Sequence, residues 1–175
     1  MAGIRPGRAI RDADKVAWTR FSRRKPRRSF IKAMPHGNLH QYRMGVIKED
    51  FDLVVHLNSL EPIIIRDNAM ESARQTANKL LEARLAGNYY FIVRVYPHHV
   101  TRENKMIAGA GADRLQKGMR RAFGRPSSRA ARLGVGTSLF TIHTFKANLP
   151  VVRAALVKAK KKLSGTYRMV VEEKN

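Results

Sequence analysis

Residues 101–136 read TRENKMIAGAGADRLQKGMRRAFGRPSSRAARLGVG, and this stretch determines how the rest of the chain is organised. It contains nine Lys or Arg residues, two acidic residues and six glycines, but few large apolar side chains. Packing alone therefore cannot offset the conformational entropy that the segment loses when it becomes ordered. The strand-like sequences YYFIVRV and SLFTIHTF lie on either side of it. We predict a long basic internal loop over residues 98–136, ordered by a polyanion whose phosphates the arginines bind through paired hydrogen bonds.

The positive charge is concentrated in three separate parts of the chain. The 175 residues carry a net charge of +22. Residues 1–32 contribute +9, residues 98–136 contribute +7 and residues 137–163 contribute +6, whereas residues 33–97 are neutral. A neutral body with basic segments is typical of a protein that binds nucleic acid, and an anionic membrane surface is the less favoured partner.

The composition argues against several other classes of protein. There is no cysteine, which excludes disulfides and thiolate metal sites. No apolar run approaches the roughly 18 residues of a membrane span, and Pro6 and Gly7 interrupt a basic start that lacks an apolar signal segment. The six histidines show no metal-ligand spacing, and Gly109–Gly111 is not followed by the Lys-Ser/Thr pair of a nucleotide loop. We therefore expect a soluble cytoplasmic protein without membrane, metal or cofactor.

Hydrophobic periodicity predicts an α+β fold, with two helices packed on one mixed sheet. Residues 33–175 would form a single domain that includes the basic loop, and residues 1–32 would form a basic N-terminal arm. The predicted helices cover residues 67–86 and 150–163. The predicted strands lie in YRMGVIK, LVVHLNS and EPIIIR between residues 42 and 66, and at Tyr89–Tyr96, Thr137–Phe145 and Tyr167–Val171.

Local signals refine these elements. Asn68 is predicted to cap the first helix, with Glu71 completing a capping box, and Asn148 is predicted to cap the second. Within the basic loop, residues 112–123 could form a short helix. The sequence SSRAAR after Pro126 is interpreted as flexible loop that returns to the sheet.

The N-terminal arm combines cations with aromatic side chains and shows no sustained period. We interpret it as an extended arm on RNA, with its cations on phosphates and Trp18 either stacked on a base or packed on the domain. A disordered basic tail and a localisation signal in RRKPRR remain alternatives.

A family resemblance adds to this reading. The loop sequence RENKMIAGAGADRLQKGMRRAFGRP, the opening RPGRAIRDADK and the C-terminal helix resemble a universal large-subunit ribosomal protein family. Its members are called large-subunit protein sixteen in bacteria and large-subunit protein ten-e in archaea and eukaryotes, and the archaeal-type branch looks closest. The resemblance implies an α/β-hammerhead fold and a structural role without catalysis or homo-oligomer formation. It also implies late addition during subunit assembly, with large-subunit ribosomal RNA, the 5S ribosomal RNA region, tRNA and neighbouring large-subunit proteins as partners.

Charge and resemblance together nominate two groups of residues. The predicted ribosomal RNA contacts come from the arm, the stem of the loop and the second helix: Arg5, Arg8, Arg11, Trp18, Arg20, Arg23, Arg24, Lys25, Arg27, Arg28, Arg114, Lys117, Arg120, Arg121, Arg125, Arg129, Arg132, Lys158, Lys161 and Lys162. The resemblance places the tip of the loop near tRNA, and the tip residues are Arg102, Asn104, Lys105, Met106, Gly109, Gly111 and Asp113.

Two other functional classes remain open at this stage. One is an enzyme that processes or modifies RNA, and the other is a free RNA chaperone. An enzyme needs a poised acid, base, nucleophile or metal. In the loop, the acids are Glu103 and Asp113, which do not form a paired site in the sequence. A structural RNA-binding role is therefore favoured.

Overall fold

The computed structural model describes residues 6–13, 34–105, 107, 109–115 and 124–173. Within these ranges, short 3-10 helices lie at Gly7–Ala9 and Lys146–Asn148. The remaining elements, in chain order, are β1 (Arg43–Gly45), β2 (Leu53–Ser59), β3 (Ile63–Arg66), α1 (Asp67–Leu85), β4 (Tyr89–Val93), β5 (His99–Glu103), α2 (Ala112–Leu115), β6 (Arg125–Leu133), β7 (Ser138–Thr144), α3 (Leu149–Lys160) and β8 (Tyr167–Glu173).

The larger sheet has five strands in the order β1-β4-β7-β2-β8, and each described pairing is antiparallel. Along β2, buried and half-buried residues alternate, so that Leu53, Val55 and Leu57 enter the core while Val54 and His56 lie on the other face. This alternation is the period-two pattern expected of a strand with one buried face. It confirms the strand predicted from LVVHLNS.

A second, three-stranded sheet has the order β3-β6-β5, again with antiparallel pairings. The α+β class with two helices is confirmed, but the strands divide between two sheets instead of joining one mixed sheet. The prediction that all of residues 98–136 form a loop, with SSRAAR as its flexible end, was wrong at both ends. The excursion between β5 and β6 covers only residues 104–124.

The reason for this error lies in the partner of β6. Ala130, Ala131 and Leu133 carry little apolar surface of their own, so the segment has a weak strand signal. In the fold, however, these residues are buried because β6 pairs with the apolar strand β3. A neighbour that is distant in sequence supplies the hydrophobic surface that the segment lacks.

The core between α1 and α3 is built from one buried stripe on each helix. Met70, Ala73, Ala77 and Leu81 of α1 are buried, and the small alanines let the helices approach closely. The buried residues of α3 are Val152, Ala155, Leu156 and Ala159. Burying a side chain such as Leu81 or Leu156 contributes about 1.5–3 kcal/mol to stability.

The two predicted helix caps need correction. Helix α1 begins at Asp67, with Arg66 at the N-cap position, so Asn68 and Glu71 do not form a capping box. The buried carboxylate of Asp67 takes over because it accepts hydrogen bonds from the backbone N–H of Asn68 and from Asn38, each at 2.8 Å. Asn148 does occupy the N-cap position of α3, but its side chain makes no capping bond and donates to Thr144 Oγ1 at 3.4 Å.

Candidate nucleic-acid interface

Strand β6 belongs to two pairings, and this gives the basic loop a stiff base. Residues 130–133 pair with β3 in the body, whereas residues 125–130 pair with β5. The first part of β6 therefore extends beyond β3 as a two-stranded ribbon with β5. Along β6 the residues change from exposed at 125–127 to buried at 130 and 131. Residues 104 and 124, at the two ends of the loop, therefore follow the part of the ribbon that does not pair with β3.

Polar contacts between β5 and β6 hold the ribbon together. Thr101 Oγ1 lies 2.6 Å from Ser128 Oγ, and Ser127 Oγ donates to the carbonyl oxygen of Thr101 at 3.2 Å. Arg102 donates from Nη2 and Nε to the carbonyl oxygen of Gly124, at 3.0 and 3.3 Å. Arg102 was predicted to belong to the tip near tRNA. In this structure its guanidinium instead holds together the two ends of the loop at Glu103 and Gly124, which we call the neck.

Gly124 allows the neck to close. Its φ of +68° lies in the left-handed region, and a Cβ there would lie 2.5 Å from the carbonyl carbon of Glu103. Such a distance is too short for any side chain, so the two backbones can approach this closely only at a glycine. At this position the glycine is required by the close approach of the two backbones.

Arg129 connects the ribbon to the body. Its Nε donates to the carbonyl oxygen of Pro35 at 2.7 Å, and its Nη1 donates to the hydroxyl of Tyr96 at 3.1 Å. Half-buried Arg129 thus orders the segment that precedes β1.

His99 is the first residue of β5. Burial lowers the pKa of its ring, and the positive charge of Arg132 lowers it further, so the ring favours its neutral form.

Most of the other described residues that were predicted to contact RNA or tRNA in the loop and β6 are exposed. The exposed ones are Lys105, Gly109, Gly111, Arg114, Arg125 and Arg132, and Asn104 is half-buried. Asp113 lies in the short helix α2, which covers Ala112–Leu115 of the longer helix predicted there. Met106, Lys117, Arg120 and Arg121 lie outside the described residues, as do Arg5, Trp18, Arg20, Arg23, Arg24, Lys25, Arg27 and Arg28 of the arm.

The start of the chain and the end of α3 meet beside β3, which the sequence did not reveal. The carbonyl oxygen of Arg11 accepts a hydrogen bond from the N–H of Ile64 at 2.8 Å, and Asp12 forms a bridge with Ile63. Lys162 and Arg66 line one groove of about 240 Å³ together with residues of this N-terminal segment. Arg8 and Arg11 are exposed residues of this N-terminal segment, but they do not line the groove. Two of the three basic segments therefore share one face.

Arg66 is unusual in that groove. Its Nε is buried and has no hydrogen-bond acceptor in the described part of the chain. A buried N–H without an acceptor is costly, and a charged one especially so. Arg66 and Lys162 are the two cationic side chains that line the groove.

The lysines at the end of α3 are exposed at Lys158, Lys161 and Lys162. Cations near a helix C-terminus interact favourably with the helix dipole, which accounts for part of this charge. No acidic residue occurs between 137 and 163, so the remaining positive charge is not neutralised within the segment. This surface is suited to phosphate.

Histidine 56 forms a contact pattern that sequence spacing could not show. His56 Nδ1 lies 2.9 Å from Thr141 Oγ1, and its Nε2 lies 3.5 Å from a carboxylate oxygen of Glu172. An acid, a histidine and a hydroxyl in series are the parts of a nucleophilic site. Thr141 is only 1% exposed, however, so its hydroxyl has no access to a substrate. The cluster joins side chains of β2 and its two neighbours, β7 and β8.

The described residues show neither a metal-binding group nor a membrane-spanning helix. Within residues 6–13, 34–105, 107, 109–115 and 124–173, no group of three or more His, Asp or Glu side chains is arranged to hold a metal ion. No helix in that same part of the chain combines the length and the apolar character that crossing a bilayer requires.

Comparison with known proteins gives a consistent result. The family model described as Ribosomal protein L16p/L10e matches residues 19–170. The chain is 39% identical over 171 residues to large ribosomal subunit protein uL16 of Thermofilum pendens, covering 97% of this chain and 98% of the relative. It is 41% identical over 170 residues to the protein of the same name from Methanocella arvoryzae, covering 97% and 95%. The uL16 protein of Archaeoglobus fulgidus is 38% identical over 157 residues, covering 89% and 90%.

Proposed function

Because the chain belongs to the ribosomal protein L16p/L10e family and is therefore a structural protein of the large ribosomal subunit, we propose that it binds large-subunit ribosomal RNA through two basic surfaces. One is the ribbon of β5 and β6 with its loop. The other is the face on which the N-terminal segment meets the end of α3. The observation that carries the proposal is the ribbon, because it projects a basic loop from a neutral body on a stiff base.

The face beside β3 is suited to the RNA backbone. Lys162 is an exposed cation that lines the groove with Arg66, and Arg8 and Arg11 are exposed cations of the N-terminal segment that also borders it. Cations of this kind bind phosphates irrespective of base sequence, and they fix the position and orientation of a protein on folded RNA. This face would therefore hold the body in place.

The loop would reach further into the subunit. On the family resemblance, residues 102–113 would lie near bound tRNA and help to position it close to the peptidyl-transferase region. Closure of the neck by Arg102 and Gly124 supports this role, because it limits the directions in which the loop can project. Contacts with the 5S ribosomal RNA region and neighbouring proteins, and late addition during assembly, form part of the same proposal.

The two alternatives are less well supported. The relatives are ribosomal structural proteins and not enzymes, and the one acid–histidine–hydroxyl series described above has an inaccessible hydroxyl. A free RNA chaperone would not need a ribbon and neck that hold one loop in a defined position.

The test measures binding of the full chain to protein-free large-subunit ribosomal RNA at increasing salt. Binding through phosphates predicts a linear fall of log affinity with log salt, with a slope of roughly 0.9 for each phosphate neutralised on a duplex. Readdition to subunits that lack this protein should restore tRNA binding. Affinity that is indifferent to salt, or readdition without effect on tRNA binding, would contradict the proposal.

A further inference from the structure

We propose that the exposed ring of Tyr96, supported by Tyr42 and His98, is a stacking platform for an unpaired RNA base, with Arg129 beside it. This inference rests on the proposed RNA-binding function and adds a recognition mode that the basic surfaces do not provide. Phosphate contacts position a protein, whereas stacking selects a nucleotide that is free to leave its own helix.

The ring of Tyr96 is held in a fixed orientation. It stacks on Tyr42, with 5.4 Å between ring centroids and 23° between the ring planes. His98 contacts the same ring in a tilted arrangement, with 4.4 Å between the ring centroids and 46° between the ring planes. Tyr96 is nevertheless 42% exposed, which is high for a large aromatic side chain with two ring partners. An ordered and exposed aromatic ring can accept a base at little additional entropy cost.

Tyr42 provides the support from the body. It is half-buried, and its backbone carbonyl oxygen accepts a hydrogen bond from the N–H of Val93 at 2.8 Å. Burial is the main cause that raises the pKa of Tyr42 to about 12. A tyrosine hydroxyl is neutral at physiological pH even at its ordinary pKa, so no negative charge beneath the platform repels RNA.

Arg129 adds a cation at the edge of the platform. Its two hydrogen bonds, to the hydroxyl of Tyr96 and to the carbonyl oxygen of Pro35, fix the guanidinium in place. A guanidinium has more N–H donors than these two bonds use, and the fork geometry suits a phosphate oxygen. A nucleotide stacked on Tyr96 would therefore have a phosphate partner within reach.

The surrounding charges favour RNA over a protein partner. Asp67 and Glu71 are the acids whose charge reaches Tyr42. Asp67 is buried and accepts hydrogen bonds from Asn38, and Glu71 forms an ion pair with Arg74. Arg94, two residues before Tyr96, is exposed. A protein interface would call for a contiguous apolar patch, whereas this site combines one exposed aromatic ring with the cations Arg94 and Arg129.

The test compares two RNA probes that carry equal charge. Oligoadenylate and an abasic ribose-phosphate oligomer of equal length are titrated with the full chain. We expect Tyr96→Ala to weaken oligoadenylate binding by about five- to a hundredfold and to leave abasic binding unchanged, since only the former offers bases to stack. Tyr96→Phe keeps the ring and should retain most of the affinity. Tyr96→Leu keeps apolar bulk and should behave like Tyr96→Ala.

Two controls isolate the platform. Tyr90→Ala removes an aromatic ring elsewhere, where Tyr90 lies 5.8 Å from His143, and should leave both probes unaffected. Each substitution is repeated in a Trp18→Ala background, so that stacking on that indole does not contribute. Thermal unfolding of every variant establishes that the fold is intact, as expected for a partly exposed position.

Several outcomes would overturn the platform. An equal loss on both probes would mean that Tyr96 acts through charge or folding, and no loss on either would mean that no base stacks there. A photoreactive phenylalanine at position 96 of the assembled subunit should cross-link to RNA, and a cross-link to a protein instead would refute the inference. Normal salt-dependent binding of ribosomal RNA by Tyr96→Ala, with no discrimination between the probes by the wild type, would remove the platform and leave the proposed function standing.

Discussion

The guanidinium of Arg102 donates two hydrogen bonds to the carbonyl oxygen of Gly124, with Nη2 at 3.0 Å, and so joins the two ends of the loop at residues 104–124. This contact fixes the distance between the two ends of a loop whose own side chains offer little apolar surface to bury. The loop therefore starts from a defined position even though its own composition offers little to bury.

The requirement for glycine at position 124 of the neck can be tested by the substitution Gly124→Ala, which adds one methyl group. We expect Gly124→Ala to lower the free energy of unfolding by at least about 1–2 kcal/mol, because alanine resists the positive φ and its Cβ would clash with the backbone of Glu103. Urea unfolding of the free protein provides the measurement. Gly109→Ala is the matched control, since no atom lies within 4 Å of a Cβ placed there. Equal stability of the two variants would show that the neck does not need glycine.

The basic face at the end of α3 predicts a change in binding without a change in stability. Lys161→Ala combined with Lys162→Ala should reduce the salt slope for ribosomal RNA binding by up to about 1.8, which is two phosphates at roughly 0.9 each. The matched control replaces Lys79 and Arg84, which are exposed cations of α1. If the control pair lowers the slope as much, net charge and not this face determines binding.

The interface between α1 and α3 predicts the largest loss of stability. Leu156→Ala should lower the free energy of unfolding by about 2–5 kcal/mol, because Leu156 is fully buried and the substitution leaves a cavity. Val157→Ala, one residue further along α3, is the control, because Val157 is 41% exposed. Its cost should stay below about 1 kcal/mol, as is usual for surface positions. A similar cost for both would argue against the described packing.

The ion pair between Glu71 and Arg74 predicts a dependence of stability on pH. The hydrogen bond from Arg74 is the main cause that lowers the pKa of Glu71 below its ordinary 4.5. A carboxylate with a lowered folded-state pKa stabilises the fold above its unfolded-state pKa, and this contribution is lost as pH falls through the folded-state value. In Glu71→Gln we expect a shallower fall of unfolding free energy below pH 4.5 than in the wild type. Parallel curves for the two proteins would show that this pair does not contribute.

Local periodicity was sufficient to predict the helices and most of the larger sheet. Helix α1 carries apolar residues at helical spacing, Met70, Ala73, Ala77 and Leu81, and this stripe is buried. Its exact start was missed because Asn68 carries the same capping signal as Asp67 in sequence. Only the fold shows that Asp67 also binds Asn38, a contact across 29 residues.

The parts that sequence could not provide depend on strand order. His56 meets Glu172 because β2 lies between β7 and β8, and Arg129 meets Tyr96 because the ribbon passes over the segment that follows β4. Neither contact follows from the spacing of the residues along the chain. The basic character of the surfaces could be predicted, whereas the meeting of the N-terminal segment with Lys162 required the three-dimensional arrangement.

Ala130 pairs with Arg66 on one side of β6 and with His99 on the other. One uninterrupted strand therefore links the distant loop to the residue that immediately precedes α1, and β3 in turn contacts the N-terminal segment through Arg11. A displacement at the base of the loop would therefore be transmitted along β6 to β3 and to the N-terminal segment that β3 contacts. Backbone hydrogen bonds, and not a relay of side chains, thus couple the position of the base of the loop to that of the N-terminal segment.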